Sequence, residues 1–496
     1  MIYNASQSRP SPSVPQSPPP APMTQAARSY ARFLERLRGY ERFEPLPRSR
    51  GPEKLAAVRR LAAELGHPER TGRVVHVAGT NGKGMTAAMI ARLLQAAGRR
   101  SGLYTSPHVL DVRERIAIDG APIAEAAFAQ AGHPVLDVAD RLRETLHCSY
   151  FDLLTLIAWG AFRAAGLEWI VLETGLGGLS DATNLGPKEL CVLTRIGMDH
   201  MHVLGDTLEA IAMQKLGIVP PGVPTVLAEQ EPALDGWLRE RLAERGSPVH
   251  AATEIRLTPC PGDADAAESV QALWPQGSPV QAVLPGEGWR LTAPRLACAA
   301  TALVAGELLL GPAPEAQRPA RLRTVLATHL PGRLELRRRQ AVRGRPGVPP
   351  LAQVALDGGH NAEALAALDA QLRRWGVTGY TLVLSLQRDK LVDVVRAPLA
   401  RLLANARRVV TLAPQTARAP TPEELREFLQ ALLAPGRAGA VETVPDAAAA
   451  LDAALETPSR PLVVTGSFWM LGDVMRLLED APPMRVSAPD PRGVRA

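Results

Sequence analysis

One short stretch of the chain, residues 74–86, combines a β-branched run with three glycines around a lysine. It reads V-V-H-V-A-G-T-N-G-K-G-M-T, and the residues that follow have helical composition and period. A strand, a glycine turn with Lys83 and a helix are typical of a phosphate-binding loop. Glycines let backbone N–H groups approach phosphate oxygens, while the helix N-terminus and the ammonium attract negative charge. An ordinary glycine-rich turn is the alternative interpretation, and the context favours the phosphate loop.

Further along the chain, acidic and basic side chains stand at the ends of apolar runs. The run W-I-V-L-E ends at Glu173, directly before a second glycine turn, and a later strand pattern ends at Asp199 and His200. A carboxylate at the carboxyl end of a parallel strand is well placed to reach a metal ion. Only five lysines occur, at positions 54, 83, 188, 215 and 390, so an amine itself is the expected requirement where one appears.

These segments resemble the Mur ligase superfamily, and specifically folylpolyglutamate synthase and dihydrofolate synthase. The loop G-T-N-G-K-G matches the family's short variant G-T-x-G-K-G-[ST] instead of the generic G-x-x-x-x-G-K-[ST]. Further similar segments are T-S-P-H at 105–108, E-T-G-L-G-G-L-S-D-A-T-N at 173–184, G-M-D-H at 197–200, P-G-R-L-E at 331–335, D-G-G-H-N at 357–361 and T-G-S at 465–467. The resemblance runs from about residue 51 to residue 478.

The resemblance implies an α/β fold, with a P-loop Mur-ligase-like central domain followed by a Rossmann-like α/β C-terminal domain. We predict a disordered Pro/Ser-rich tail at 1–28, the ATP-binding domain at 29–325 and the glutamate ligase domain at 326–496. Irregular residues from about 250 to 290 predict a small antiparallel insertion. Strands are expected in the second domain at 353–356, 380–384, 408–412, 440–444 and 462–465.

The reaction implied by the resemblance is ATP-dependent addition of L-glutamate to a folate or dihydropteroate carboxylate through an acyl phosphate. The implied cofactors are ATP and two Mg²⁺ ions, one of them held through a carbamylated Lys215. Carbamylation needs a neutral primary amine, which a buried lysine supplies and an arginine does not. Most of this chemistry is positioning and charge neutralisation in a cleft that must close.

The resemblance assigns roles to individual positions of this sequence. Catalytic roles fall on Lys83, Lys215 and His360. The nucleotide is expected at Gly79, Thr80, Asn81, Gly82, Lys83, Gly84, Met85, Thr86, Thr292, Arg333 and Asp357. The substrate is expected at Ser106, Pro107, His108, Phe151 and Asp199, and metal ions at Thr86, Glu173, His200 and Lys215.

Three positions depart from the family pattern. Met85 stands where the family has a Ser or Thr that ligates Mg²⁺, Leu179 replaces an Arg, and the segment around Thr292 lacks the family's His, Gln and Asn. A thioether is a poor ligand for Mg²⁺, so Thr86 is the expected substitute. Two alternatives therefore stay open: a diverged Mur-type amide ligase with another carboxylate substrate, and a nucleotide-binding paralogue without turnover.

Composition sets the remaining expectations. The 496 residues carry a net charge of +6, which is spread along the chain and indicates mild attraction for anionic small molecules, with nucleic acid a weak second. The four cysteines show no paired spacing, which fits a reducing compartment and gives no zinc motif. No apolar run looks long enough to span a membrane, and 153–162 is the best candidate. We expect a cytoplasmic monomer without nucleic-acid or membrane partners.

Overall fold

The structure is a computed structural model that describes residues 25–40, 52–260, 269–283, 291–345, 347–413, 419–433 and 441–478. Its first sheet contains β1 (Arg73–Ala78), β2 (Ser101–Tyr104), β3 (Ile116–Ile118), β4 (Ala121–Pro122), β5 (Trp169–Glu173), β6 (Leu190–Leu193), β7 (Thr225–Leu227) and β8 (Val249–Ala251). The strand order is β4-β3-β2-β5-β1-β6-β7-β8, and only the β3 and β4 edge runs antiparallel.

A three-stranded antiparallel sheet follows, formed by β9 (Arg256–Pro259), β10 (Ser269–Leu273) and β11 (Val280–Val283). It confirms the insertion expected between residues 250 and 290, although 261–268 and 284–290 lie outside the described residues. Its buried side chains belong to the same apolar cluster as the phosphate-loop helix. The insertion therefore shares the core of the first α/β unit.

The second large sheet contains β12 (Glu335–Gln340), β13 (Leu351–Asp357), β14 (Thr381–Leu384), β15 (Arg408–Thr411), β16 (Val441–Thr443) and β17 (Leu462–Thr465). Its order is β12-β13-β17-β14-β15-β16, with β12 antiparallel at one edge. The five strands expected from the sequence are confirmed. The sequence analysis missed β12, whose outer residues are arginines.

The helices of the first unit are α1 (Gln25–Arg38), α2 (Pro52–Glu64), α3 (Lys83–Ala96), α4 (Glu125–Arg141), α5 (Tyr150–Ala164), α6 (Met201–Leu204), α7 (Leu208–Leu216), α8 (Pro232–Glu244), α9 (Ala293–Leu310) and α10 (Arg318–Leu326). Helices α3, α9 and α10 pack together on one face of the first sheet, and α1, α2, α4 and α5 cover the other. The central strands β1 and β5 are buried on both faces, which explains their nearly continuous apolar sequence.

The helices of the second unit are α11 (Ala362–Arg374), α12 (Asp393–Asn405), α13 (Pro422–Gln430), α14 (Ala447–Leu455) and α15 (Phe468–Leu477). They form two apolar clusters, one on each face of the second sheet. The sequence predicted this arrangement of two α/β units, one after the other along the chain.

Two sequence expectations need correction. Residues 1–24 of the expected tail lie outside the described residues, and 25–28 belong to α1, so the tail prediction extends too far. By length and composition alone, α9 among the described helices is long and apolar enough to cross a membrane, and the sequence analysis had assigned no such segment. In this fold α9 packs against α3 as a core helix.

The boundary at 325/326 stays a prediction: Leu326 still packs in the first core, and the second sheet begins at Glu335.

Candidate active site

The predicted phosphate loop connects β1 to α3. Gly79 has a φ of 155°, and a β-carbon there would lie 1.8 Å from the Thr194 hydroxyl oxygen. A β-carbon on Gly84 would lie 2.9 Å from a carboxylate oxygen of Glu173. Glycine is required at position 79, because the loop passes directly over the end of β6, and a side chain at position 84 would displace the Glu173 carboxylate. The register pairs Val77 with Glu173, so the loop and the carboxylate leave the sheet side by side.

Lys83 and Glu173 face one another at this edge of the sheet. The Lys83 ammonium donates to the Thr80 carbonyl at 3.1 Å, and Glu173, which is 3% exposed, accepts from the Ser106 N–H at 2.8 Å. Burial raises the pKa of Glu173, and the nearby Lys83 opposes that rise. Burial lowers the pKa of Lys83, and Glu173 opposes that change in turn. Each charge therefore stabilises the other in a site with little water.

The side chains of the two residues after Gly84 lie in different surroundings. Met85 is 7% exposed and packs in the apolar cluster between α3 and α9. The Thr86 hydroxyl is buried beside the Cys298 thiol, a weak hydrogen-bonding group, and has no hydrogen bond of ordinary geometry among the described residues. A buried hydroxyl without a partner costs free energy, which a ligand atom offsets. This supports the expectation that Thr86, and not Met85, supplies an oxygen to the site.

Lys215 lies near the C-terminal end of α7, directly behind the phosphate loop. It is 4% exposed, and its ammonium donates to the Gly79 carbonyl at 2.8 Å. Burial first, and the positive charge of Lys83 second, lower the pKa of Lys215 to about 7. A large fraction of this amine is therefore neutral at physiological pH, which is the state that reacts with CO₂.

Across the cleft, Asp199 forms a buried ion pair with Lys390 of the second unit. The two side chains are 8% and 6% exposed, and Asp199 Oδ1 lies 2.5 Å from Lys390 Nζ. The Asn361 amide donates to Asp199 Oδ2 at 3.0 Å. Burial alone raises the pKa of Asp199, but His200 and Lys390 hold it well below its usual range. The pair connects the end of β6 to the second sheet.

Asp199, His200 and His360 form a group with metal-ligand chemistry, since one potential ligand atom from each lies within 4.8 Å of the others. It is the one group of three or more such residues in the part of the chain that the structure describes. Burial lowers the pKa of His200 to about 3, so its ring is neutral. Glu173 is outside this group, and the sharing of one ion between Glu173 and His200 stays a prediction.

Arg333 lies in the turn that joins the two units, and Asp357, the last residue of β13, contacts that turn. The Arg333 guanidinium lies 3.9 Å from the centre of the Phe468 ring, and burial lowers its pKa while Glu173 opposes the change. Asp357 accepts from the Leu334 and Gly359 N–H groups at 2.9 and 2.8 Å. Asp357 therefore fixes the turn that presents Arg333 towards Glu173.

Four of the five residues expected to bind substrate lie on one side of the site, whereas Asp199 pairs with Lys390 across the cleft. Phe151 packs against Gly175, where a β-carbon would be 2.5 Å from its ring, and Ser106 and Pro107 form the loop that donates to Glu173. The His108 ring accepts from Arg115 Nε at 2.9 Å, and its centre lies 5.6 Å from the ring centre of Trp469 in the second unit. Burial lowers the pKa of His108 to about 3. This side of the site therefore contains side chains from both units.

Thr292 has a structural contact that the sequence did not predict. Its hydroxyl caps α9 by accepting from the Arg295 N–H at 3.2 Å, and the residue is 3% exposed. Its assignment to the nucleotide stays a prediction. Leu179 is 47% exposed and packs on Gly217 at the end of α7, near Lys215.

No protein-family model matches the chain. The probable dihydrofolate synthetase of Schizosaccharomyces pombe is 33% identical over 315 residues, which cover 62% of this chain and 69% of that protein. The chain belongs to the folylpolyglutamate synthase/dihydrofolate synthase family. The dihydrofolate synthase/folylpolyglutamate synthase of Bacillus subtilis is 37% identical over 200 residues, 40% of this chain and 46% of that protein. The segments aligned with several curated relatives thus span about half of those proteins or less, 46% and 44% in two cases.

Solved structures of the folylpolyglutamate synthase family extend the likeness to most of the chain. The Mycobacterium tuberculosis folylpolyglutamate synthase complexed with ADP and AMPPCP has a TM-score of 0.74 and 26% identity, and the match covers 91% of this chain and 99% of that one. E. coli FolC in complex with DHPP and ADP has a TM-score of 0.69 and 26% identity, over 92% and 98% of the two chains. The Mur ligase fold is therefore confirmed.

The structure also brings residues to the family's cleft that the sequence analysis did not select. Lys390 and Asn361 contact Asp199, and the Asn81 amide of the phosphate loop donates to Glu363 at 2.8 Å. Lysine scarcity was a usable signal for Lys390, and Asn361 stood inside a matched motif. Glu363 gave no signal, since an acidic residue in the first turn of a helix is ordinary.

Proposed function

We propose that the protein is an ATP-dependent ligase that joins L-glutamate to the carboxylate of a folate or a dihydropteroate. One observation carries the proposal: the phosphate-loop lysine, a buried strand-end carboxylate and a second buried lysine meet at the ends of β1 and β5. Lys83, Glu173 and Lys215 are linked to this edge by hydrogen bonds of 2.8 to 3.1 Å. Family membership then supplies the substrate class.

In this proposal the nucleotide phosphates lie on the loop 79–86. The loop N–H groups, the N-terminus of α3 and the Lys83 ammonium attract the phosphates, and Arg333 approaches from the second unit. The substrate carboxylate attacks the γ-phosphorus of ATP, and ADP leaves with the bonding electron pair. The amine of glutamate then attacks the acyl carbon, the amine loses a proton, and inorganic phosphate leaves.

The residues at this edge fit magnesium. Glu173 offers a buried carboxylate, and Thr86 offers a buried hydroxyl oxygen without a partner among the described residues. When bound there, Mg²⁺ supplies charge neutralisation at the phosphate oxygens. Glu173, Thr86 and His200 are the residues we propose to hold it.

We also propose that Lys215 is carbamylated. Its neutral amine attacks the carbon of CO₂, a nitrogen–carbon bond forms, and one proton passes to solvent. The product is an anion in a place where burial disfavours the ammonium, and it lies beside the positive charge of Lys83. The carbamate supplies oxygens for a second Mg²⁺ ion.

The amino-acid side of the reaction is assigned to the second unit. His360 and Asp199 belong to the polar group across the cleft, so the site is complete only when the units close on one another. We propose a protein that works in the cytoplasm as a monomer on small molecules, without nucleic-acid or membrane partners.

The deciding experiment measures ADP release with a dihydropteroate or a folate, L-glutamate and MgATP, omitting each in turn. We expect ADP only in the complete mixture, together with a product heavier by one glutamyl residue. ADP release with an unrelated carboxylate and none with pteroates would show a diverged amide ligase. ATP binding without ADP formation in any mixture would show a non-catalytic paralogue.

A further inference from the structure

His76 is a polar residue in the middle of β1, a strand that is buried from Val74 to Ala78. It is fully buried in β1, three residues before Gly79, and its strand neighbours are Leu172 and Cys191. A buried imidazole is costly unless it is hydrogen-bonded, and the proposed reaction does not use it. The presence of a histidine at this buried position therefore calls for a structural explanation.

The hydrogen bonds around His76 determine its tautomer. Its Nε2 lies 2.8 Å from the Thr183 hydroxyl and 3.1 Å from the Thr174 hydroxyl. The Thr183 hydroxyl donates its single proton to Asp181 Oδ1 at 2.5 Å. Thr183 must therefore accept from His76, which places the imidazole proton on Nε2. His76 Nδ1 has no partner among the described residues, and burial keeps its pKa well below the usual value, so the ring is neutral.

Asp181 passes this constraint to the second glycine turn, residues 174–184. Its carboxylate accepts from the Leu176 N–H at 2.9 Å and from the Thr183 N–H at 3.0 Å. The Asp181 carboxylate thus links residues 176 and 183 of the turn. Thr183 holds this carboxylate in place, and His76 holds the Thr183 hydroxyl. All three side chains are at most 3% exposed.

The turn 174–184 is hydrogen-bonded to the end of α7. The Leu179 N–H donates to the Gln214 carbonyl at 2.8 Å, and the Asn184 amide donates to the Gly217 carbonyl at 3.1 Å. Lys215 lies between these two contacts and donates back to Gly79 at the end of β1. The contacts form a closed ring that starts at His76 and returns to the strand that carries it.

We infer that His76, in its Nε2–H form, is a positioning residue that fixes the turn 174–184 and, through it, the end of α7 with Lys215. The effect on ligation rests on the proposed function, whereas the effect on the turn does not. The inference requires only that the side chain at position 76 has a hydrogen-bond donor where His76 Nε2 lies. A glutamine amide reaches that position, while leucine fills the space without a donor.

The first test is made on the wild-type protein. Long-range ¹H–¹⁵N spectra of the histidine-labelled chain distinguish the two neutral tautomers, and the His76→Gln variant assigns the signal by its disappearance. We expect the Nε2–H form, without protonation down to pH 5. A signal of the Nδ1–H form, or of a charged ring, would overturn the inference.

The second test is hydrogen exchange in residues 174–184 and 211–217. We expect exchange to be about tenfold faster in His76→Leu and in Thr183→Val, since a buried polar group loses its partner. His76→Gln and Thr183→Ser are the matched controls, and we expect exchange within about twofold of wild type in both. Equal exchange in His76→Leu and His76→Gln would overturn the inference.

A third readout separates the inference from the proposed function. With ¹³C-labelled CO₂, we expect the carbamate signal of Lys215 to weaken in His76→Leu and to return in His76→Gln. In kinetics, the same pair should differ in KM for MgATP and not in KM for glutamate. If the protein has no ligase activity, the tautomer and the exchange rates still decide the inference.

Discussion

The two halves of the candidate site are held by different kinds of contact. Around the phosphate loop, Lys83, Lys215 and Glu173 each bond to a backbone atom, at Thr80, Gly79 and Ser106. Across the cleft, side chains bond to other side chains: Asp199 to Lys390, Asn361 to Asp199, and Asn81 to Glu363. Backbone contacts within one unit persist whatever the other unit does. Side-chain contacts between units exist only when the two units are close.

The difference assigns separate tasks to the halves. The loop half is organised before substrate arrives, so it is suited to hold a nucleotide in the open form. Under the proposed function, we expect the cross-cleft half to form on closure and to bring the amino acid and exclude water. Changes in the loop half should therefore affect nucleotide use directly, and changes in the cross-cleft half should affect closure.

The largest effect is expected for Lys83→Ala. The ammonium belongs to the proposed phosphate loop, and among the described residues it donates to the Thr80 carbonyl. We expect ligation to fall by about 10²–10³-fold or more, as for other removed groups that stabilise transition-state charge, with the fold retained and a lower melting temperature, because Glu173 loses its counter-charge. Coupled ADP release and thermal unfolding measure the two quantities. Arg239→Ala on the surface of α8 is the control, and unchanged turnover in Lys83→Ala would refute the phosphate-loop assignment.

The next largest effect is expected for the ion pair across the cleft. Lys390→Met and Asp199→Asn each leave a buried polar partner without its counter-ion, which costs about 2–5 kcal/mol. We expect each to lower kcat/KM by about 100-fold, with little further loss in the double variant, because both remove one contact. ADP affinity, measured by calorimetry, should stay within about twofold. A large loss of ADP affinity in either variant would contradict the separation of the two halves.

Much of this architecture was predictable, and the exceptions have physical reasons. Strands such as β1, β5 and β17 are buried runs of Val, Ile and Leu, so their pattern is local and visible. The edge strand β12 was missed because its outward residues are arginines and its inward face is short. The Asp199–Lys390 pair was missed because its members lie 191 positions apart, and no local pattern records how two units meet. Thr292 was interpreted from its place in a motif, whereas capping of α9 depends on backbone geometry.

A smaller effect concerns the pH dependence of Lys215. Its pKa of about 7 means that the neutral fraction rises as pH rises through 7. At constant dissolved CO₂, we expect carbamate to increase between pH 6 and pH 8 by more than the roughly tenfold rise in neutral amine, because carbamate formation also releases a proton. The ¹³C carbamate signal measures it, and Lys215→Arg should abolish the signal.

Lys188 provides a matched control for that measurement. It is a second lysine whose pKa is lowered by burial, to about 8, but it donates to the Leu185 and Gly186 carbonyls away from the loop. Lys188→Met should leave the carbamate signal in place. If the signal is lost in Lys188→Met and kept in Lys215→Arg, the carbamylated residue is Lys188, and the proposal for Lys215 is wrong. Lys215→Ala should lose ligation and regain part of it with added short carboxylates.

The smallest effect is expected for Met85→Ser, which restores a hydroxyl at the family's metal position. Met85 packs in the core, whereas the Thr86 hydroxyl is buried without a partner among the described residues and is available as a ligand. We expect the Mg²⁺ concentration for half-maximal rate to change by less than about threefold, since the side chain at position 85 packs in the core and a hydroxyl there adds no oxygen to the site. Thr86→Val should raise that concentration by about tenfold. Met85→Ala removes the same thioether without adding an oxygen, so it separates packing from ligation. If Met85→Ser lowers the Mg²⁺ requirement tenfold while Thr86→Val is neutral, the metal lies at position 85 and the loop half is not complete as it stands.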